Sequence, residues 1–321
     1  MTERPPFPFI VGCGRSGTTL LRAILDAHPD VAVPFESYFP VWFARRRRRY
    51  EQARGFATDV FVDDLLGHES FARWGLDEAT VRAGLDAAAP ATYPDAVRAC
   101  YALYARAHDK PRYADKTPAF VEHIPVVASL FPEAVFVHIV RDGRNVVLSR
   151  TAAAWGSDRI AAEALLWQTQ VSAGRTHGAR LGPDRYLEVR YEDLVDDAEP
   201  VVRRICAFAR IDFDSAMLGY HERATNVLAD QPFPQEHQNL LRPPTKGLRD
   251  WRTELSPRDI ERVEAIAGTT LSALGYERAI DSPRWAARAD AGVERLRFQC
   301  ARQYRRARRA VWHLTHAARS G

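Results

Sequence analysis

Apolar and polar positions along the chain alternate between two periods. Phe7-Pro8-Phe9-Ile10-Val11-Gly12 is a short apolar run ending in glycine, which predicts a buried parallel strand. After the loop Cys13–Gly17, Leu20, Leu21, Ile24 and Leu25 fall at helical spacing, and Pro29 predicts that this helix stops near Ala27-His28. Val31–Val33 reads as a second short strand. From Ser37 to His108 the pattern is mainly helical, broken at Gly55, Gly75 and Pro90. Val135–Val140 is the clearest strand, followed by a helical pattern from Val146. Tyr186–Val189 reads as a strand, Val201–Ala209 as a helix, Thr225–Asp250 as a long loop, and Ser256-Pro257 as the start of a helix running to Gly275. Strands alternating with helices predict an α/β fold with a parallel sheet covered on both faces.

The 321 residues are enough for a large core, and 46% hydrophobic with 27% charged residues is an ordinary globular composition. No run approaches the ~18 apolar residues of a membrane span. No apolar leader precedes the first strand, so a cytoplasmic location is expected. Cys13, Cys100, Cys206 and Cys300 lie far apart and read as small hydrophobes rather than disulfides or metal ligands. The net charge of +4 hides an asymmetry. From Arg284 onward there are ten arginines and two acids, so the tail is strongly basic and the body mildly acidic.

Gly12-Cys13-Gly14-Arg15-Ser16-Gly17-Thr18-Thr19 lies where strand turns into helix, with two glycines five apart followed by hydroxyls. Such a loop cradles an anion on backbone N–H groups at a helix N-terminus, a P-loop-type arrangement. The lysine of nucleoside-triphosphate loops is absent, because Thr18 stands in its place and Arg15 brings the positive charge earlier.

Gly14-Arg15-Ser16-Gly17-Thr18-Thr19-Leu20-Leu21 resembles the 5′-phosphosulfate loop of sulfotransferases that use 3′-phosphoadenosine 5′-phosphosulfate (PAPS). The continuation Arg22 to Val31 is similar to tyrosylprotein sulfotransferases and their bacterial relatives. Val137-His138-Ile139-Val140-Arg141-Asp142-Gly143-Arg144 with Ser149 resembles the family's 3′-phosphate site. Asp115-Lys116-Thr117-Pro118 and Arg190-Tyr191-Glu192-Asp193-Leu194 match as well, and Thr245-Lys246-Gly247…Trp251 more weakly.

The resemblance implies a metal-independent enzyme that moves a sulfuryl group from PAPS to a hydroxyl, leaving adenosine 3′,5′-bisphosphate. It places the base on Glu36, gives Lys116 the transferring group, and has Arg15 join Lys116 in stabilising charge on the departing phosphate. Arg15, Ser16, Gly17, Thr18 and Thr19 would bind the 5′ end of the donor. Arg141 and Ser149 would hold the 3′-phosphate, Lys246 and Gly247 would close over it, and Tyr191 and the Trp155–Arg159 region would touch ribose or adenine. His123 is the reserve base, whereas His138 sits inside an apolar strand and reads as core.

The organisation expected is a sulfotransferase domain over 1–282, with 37–108 a helical acceptor-side insertion, and a basic amphipathic helical tail over 283–321. Acceptors remain open among small molecules, glycans, lipids and peptide tyrosine. A P-loop kinase and a non-catalytic adenosine-bisphosphate-binding protein are the alternatives. Arg45–Arg49 would attract an acidic acceptor or an anionic membrane, or form a solvated face. The tail offers a peripheral membrane contact or a homodimer contact, or docks on the body, and lacks the interleaved aromatics of a nucleic-acid platform.

Overall fold

Phe7–Gly12 forms strand β1, and its side chains part by the strand's period of two. Phe7, Phe9 and Val11 enter one hydrophobic core and Ile10 enters another. The structure, a computed structural model, describes residues 4–153, 155–229, 231, 234–245, 247 and 249–317.

In chain order, Thr18–Asp26 is α1 and Val31–Ala32 is β2. The insertion contains α2 (Phe39–Ala44), α3 (Arg47–Tyr50), the strands β3 (Glu51–Gln52) and β4 (Gly55–Phe56), α4 (Thr58–Leu66), α5 (Glu69–Ala72), α6 (Glu78–Ala88) and α7 (Tyr93–Ala107). Then come β5 (Arg112–Tyr113), β6 (Asp115–Lys116), a 3-10 turn over Pro118–Glu122, α8 (Ile124–Leu130) and β7 (Ala134–Val140). Beyond these lie α9 (Gly143–Thr151), α10 (Ile160–Leu181), β8 (Tyr186–Arg190), α11 (Tyr191–Asp196), α12 (Ala198–Ala209), α13 (Ala224–Ala229), α14 (Trp251–Glu254), α15 (Pro257–Ala273) and α16 (Trp285–Ala317).

Two compact units result: Met1–Arg141 with Gln170–Leu248, and Asp142–Thr169 with Arg249–Gly321. The first unit holds a four-stranded, all-parallel sheet in the order β6-β1-β7-β8. Phe9 pairs with Asp115 and Phe136, and Ile10 with Lys116 and Val137. One face packs on the helical insertion and α8, the other on α1, α12 and the segment from Met217 to Leu240. Residues 225–250, expected as loop, contain α13 and a 3-10 helix over Pro234–Leu241, because Val227 and Leu240 bury in that second core. The β3–β4 hairpin inside the insertion was not expected either.

The second unit is organised by Arg144. Its buried guanidinium donates to Asp142 Oδ2 at 2.7 Å, to Glu264 Oε1 at 2.7 Å and to the Glu277 carbonyl at 2.8 Å. It also lies 3.8 Å from the centroid of the Trp251 ring. Glu264, fully buried, accepts in turn from the backbone N–H groups of Ala279 and Ile280. A Cβ on Gly143 would stand 2.7 Å from the buried Trp167 ring, so this turn tolerates glycine alone. The basic tail begins as part of this unit. Ala287, Ala291 and Glu294 of α16 are buried, and Arg284 beside it forks onto Glu261. Domain contacts therefore group 142–169 with the C-terminal residues.

Arg144→Leu should destabilise the chain by about 3–5 kcal/mol in denaturant unfolding, since it strands two buried carboxylates. An unchanged midpoint would show that the network contributes nothing.

Candidate functional site

Parallel strands deliver their carboxyl ends to one edge of a sheet, and ligands of α/β proteins gather there. In the first unit that edge carries the loop after β1, Thr117 after β6, Arg141 after β7 and Tyr191 after β8.

The loop is tightly built. Ser16 N donates to the Cys13 carbonyl at 3.1 Å, and Leu21 N to that of Gly17 at 3.0 Å. Gly17 takes a φ of +95°, and a Cβ there would stand 2.4 Å from Cδ2 of Tyr191. Glycine is thus needed both for the backbone conformation and for the ring lying on the loop. Arg15 adopts a φ of +74°, a conformation that non-glycine residues rarely hold without external support. Ser16 Oγ is buried with no hydrogen-bond partner. An orphaned hydroxyl costs about 1–3 kcal/mol, and an anionic oxygen at this loop would relieve that cost. The residues present thus fit a bound phosphate or sulfate ester.

Arg141 joins the loop directly. Its guanidinium lies 4.3 Å from the Tyr191 ring centroid, and Nη1 donates to the Arg15 carbonyl at 3.3 Å. Arg15, Ser16, Gly17, Thr18, Arg141 and Tyr191 therefore form one cluster, with Thr19 on the first turn of α1.

Glu36 and Lys116 form the second cluster. Lys116 Nζ donates to Glu36 Oε1 at 2.7 Å, and Tyr38 OH donates to Glu36 Oε2 at 2.5 Å. Side-chain exposure is 0% for Lys116 against 18% for Glu36, so the carboxylate is the partner that meets solvent. Burial lowers the Lys116 ammonium below the usual lysine range, and Glu36 pulls it back only in part. Arg22 of α1 adds repulsion in the same downward direction.

The sequence folds to hold Glu36 still. Arg22 Nε donates to the Val33 carbonyl at 2.9 Å and Val33 N to Asp26 Oδ1 at 2.8 Å. Lys110 Nζ reaches the Val31 carbonyl at 2.9 Å, and Trp74 Nε1 that of Phe35 at 2.9 Å. His28 receives the Asp30 N–H on Nδ1 at 2.9 Å, while Nε2 lies 2.8 Å from the Asp212 carbonyl. The stretch Arg22 to Asp30 is therefore scaffolding for the segment that carries Glu36.

Behind Lys116, the fully buried Asp115 accepts on Oδ2 from Ser37 Oγ at 2.7 Å, Tyr101 OH at 2.7 Å and Thr117 Oγ1 at 3.1 Å. Ser37 N also donates to Thr117 Oγ1 at 2.9 Å. Burial pushes the Asp115 carboxyl up to about 6, against the pull of those hydrogen bonds. Tyr38, with a φ of +49°, is a second non-glycine residue in an unusual conformation at the site.

Ser149 is buried on α9 in the second unit. Trp155, in the same unit, is half exposed with the Arg150 guanidinium 4.9 Å from its ring centroid. Gly247 sits exposed at a φ of +69°, and Lys246 lies outside the described residues. His123 stands between the 3-10 turn and α8 rather than within a helix. His138 is buried, its Nδ1 2.6 Å from Tyr186 OH, and burial pushes its imidazole down to about 3. It is a neutral core residue. Sequence reasoning assigned no role to Tyr38, Arg22 or Asp115. Arg22 carried a usable signal, a lone charge among Leu20, Leu21, Ala23 and Ile24.

The profile of the sulfotransferase family matches residues 6–215, and the chain belongs to that family. It is a sulfotransferase. A putative protein-tyrosine sulfotransferase of Caenorhabditis briggsae is 27% identical over 294 residues, covering 88% of this chain and 93% of that protein. The protein-tyrosine sulfotransferase of Drosophila melanogaster is 28% identical over 299 residues, 90% of this chain, which spans 55% of that protein's length. Among solved structures, the sulfotransferase domain of the Synechococcus PCC 7002 olefin synthase superposes with a TM-score of 0.58 at 25% identity. That match covers 86% of this chain and 98% of the domain. The kinase alternative finds no support, in keeping with Thr18 in the lysine position.

Asp115 titrates in an experimentally useful window. Its folded value is raised above the unfolded one, so its neutral form favours the fold below about pH 4, and that advantage is lost as pH rises through about 6. Asp115→Asn should flatten the fall in stability between those two values in urea unfolding. An identical slope in wild type and variant would show that Asp115 does not carry it.

Proposed function

We propose that the chain transfers the sulfuryl group of PAPS to a phenolic hydroxyl, that of a peptide tyrosine in an acidic setting. The observation that carries the reading is the 2.7 Å contact between buried Lys116 and partly exposed Glu36, with Lys116 on the strand paired to the one that runs into the anion loop. Two carboxylate oxygens held by Lys116 and Tyr38 still leave lone pairs on each, so Glu36 retains the capacity to take a proton from a hydroxyl.

In this mechanism the acceptor oxygen attacks sulfur as the bond from sulfur to the bridging phosphate oxygen breaks. The proton passes to Glu36, and adenosine 3′,5′-bisphosphate leaves. When Glu36 is neutralised, Lys116 loses its counter-ion and its ammonium turns to the charge growing on the leaving phosphate. Arg15, Ser16, Thr18, Thr19 and the amides of the loop hold the 5′ end of the donor. Arg141, fixed against the Tyr191 ring, takes the 3′-phosphate as a charge-assisted donor.

The acceptor class rests on the tyrosine-sulfating relatives and on charge close to Glu36 in the chain. Arg45, Arg46, Arg47 and Arg48 are all exposed and follow α2, which begins three residues after Glu36. Exposed Trp42 of the same helix packs 5.9 Å from Tyr38, ring to ring.

Glu36→Gln should lower the single-turnover rate with PAPS roughly 10²–10⁴-fold while affinity for adenosine 3′,5′-bisphosphate barely changes. Since the substitution also removes the partner of a buried lysine, thermal unfolding is followed in parallel. Near-normal turnover in a folded Glu36→Gln variant would remove the base from this residue.

The acceptor is tested with a tyrosine peptide flanked by aspartates against its asparagine counterpart. The acidic peptide should show a KM about tenfold lower, narrowing when Arg45 to Arg48 are changed to alanine or when salt is raised. Equal KM values for the two peptides would sink the acidic-acceptor reading and leave the sulfuryl chemistry standing.

A further inference from the structure

The C-terminal helix α16 shows two opposite faces over its first half. On one, Ala287, Ala291 and Glu294 are buried in the second unit, and Arg295 Nη2 donates to the Ile266 carbonyl at 3.3 Å. On the other, Trp285, Ala289, Val293, Leu296 and Cys300 follow at steps of four, four, three and four residues, which places them on one stripe. That stripe is bare. Trp285 is 82% exposed, Leu296 62% and Val293 47%. These are large apolar side chains on a helix whose packing requirement is already met from the other side.

Charge decides what covers such a stripe. Arg288 and Arg297 are exposed beside it, and from Trp285 to Ala317 the sequence carries eight arginines against two acids. Both acids are engaged within the unit: Glu294 with Arg159 at 2.5 Å, and Asp290 with Arg262 at 3.3 Å. A second copy of the same helix would bring like charge against like charge, which disfavours self-pairing through this face. A nucleic acid would meet the arginines but would give Trp285, Val293 and Leu296 no apolar partner. An anionic bilayer meets both, since headgroup phosphates face the guanidinium groups while the stripe enters the acyl boundary. No described helix is long and apolar enough to cross a membrane, so α16 would lie along the surface.

We infer that the exposed face of α16 is a docking surface for an anionic lipid bilayer. Trp285, Val293 and Leu296 insert, and the flanking arginines hold the headgroups.

The test uses the full chain and sedimentation with vesicles of phosphatidylcholine alone or mixed with phosphatidylglycerol. Binding is expected to the mixed vesicles and not to the neutral ones, with about a tenfold or greater loss at high salt. The double variant Trp285→Ser, Leu296→Ser removes only exposed apolar groups and should weaken binding by about tenfold or more without lowering the unfolding temperature. Cys300 provides an independent reading, because it is exposed whereas Cys13, Cys100 and Cys206 are buried. An environment-sensitive dye on Cys300 should shift to the blue with the mixed vesicles. Equal vesicle binding by wild type and double variant would overturn the inference. So would tighter binding to duplex DNA at the same salt, which would make the arginines a polyanion site. A dimer in the absence of lipid, abolished by the double variant, would assign the stripe to a second copy instead.

Discussion

The burial of Lys116 beside Glu36 is the constraint on which the rest of the first unit depends. Removing an ammonium from water costs several kcal/mol, and a carboxylate offsets that cost only when the geometry is good. The lysine therefore needs Glu36 held to within tenths of an ångström at 2.7 Å. This accounts for the density of bonds around the Glu36 segment: Arg22 and Asp26 on Val33, Trp74 on Phe35, and Tyr38 on the carboxylate itself. Each restrains a segment that, apart from the two residues of β2, has no strand to restrain it.

The sheet supplies the other half of that geometry. Successive residues of a strand point to opposite faces, and the register sets Asp115 beside Phe9 and Lys116 beside Ile10. Phe9 belongs to the core shared with the insertion, and Ile10 to the core shared with α1. Asp115 accordingly turns to Tyr101 on α7 and to Ser37, while Lys116 turns to Glu36. The insertion also bears on the site lysine. Its longest helix carries a hydrogen bond to the carboxylate next to the site lysine, so repacking α7 would reach the chemistry through one strand of two residues.

How much of this was legible in the sequence follows from the strength of each local signal. β1 and β7 were readable because buried strands are dense in Val, Ile and Phe, β8 from the short run Tyr186–Val189, and the helix after the loop because its leucines keep helical spacing. The resemblance named Glu36 and Lys116 separately, and their ion pair was not legible at all. Eighty residues separate them, and no local periodicity connects residues at that distance. β6 was invisible as a strand, since two charged residues carry no apolar alternation and owe their place to pairing with β1. The conformation of Tyr38 left no trace either, because a tyrosine gives no hint of a positive φ. In Arg141-Asp142-Gly143-Arg144 only the resemblance told the two arginines apart, since residue type and spacing do not. Arg141 extends toward the loop and Tyr191, whereas Arg144 is enclosed by Asp142, Glu264 and Trp251.

The occupancy of the two Glu36 oxygens bears on how the proposed reaction is timed. Tyr38 and Lys116 each donate to one oxygen of that carboxylate, so both oxygens are engaged in the resting site. As sulfur leaves the phosphate in the proposed reaction, the phosphate gains charge and competes with Glu36 for the Lys116 ammonium. In that reaction the buried ion pair couples deprotonation of the acceptor to departure of the phosphate, because burial keeps solvent from replacing either partner of the Lys116 ammonium.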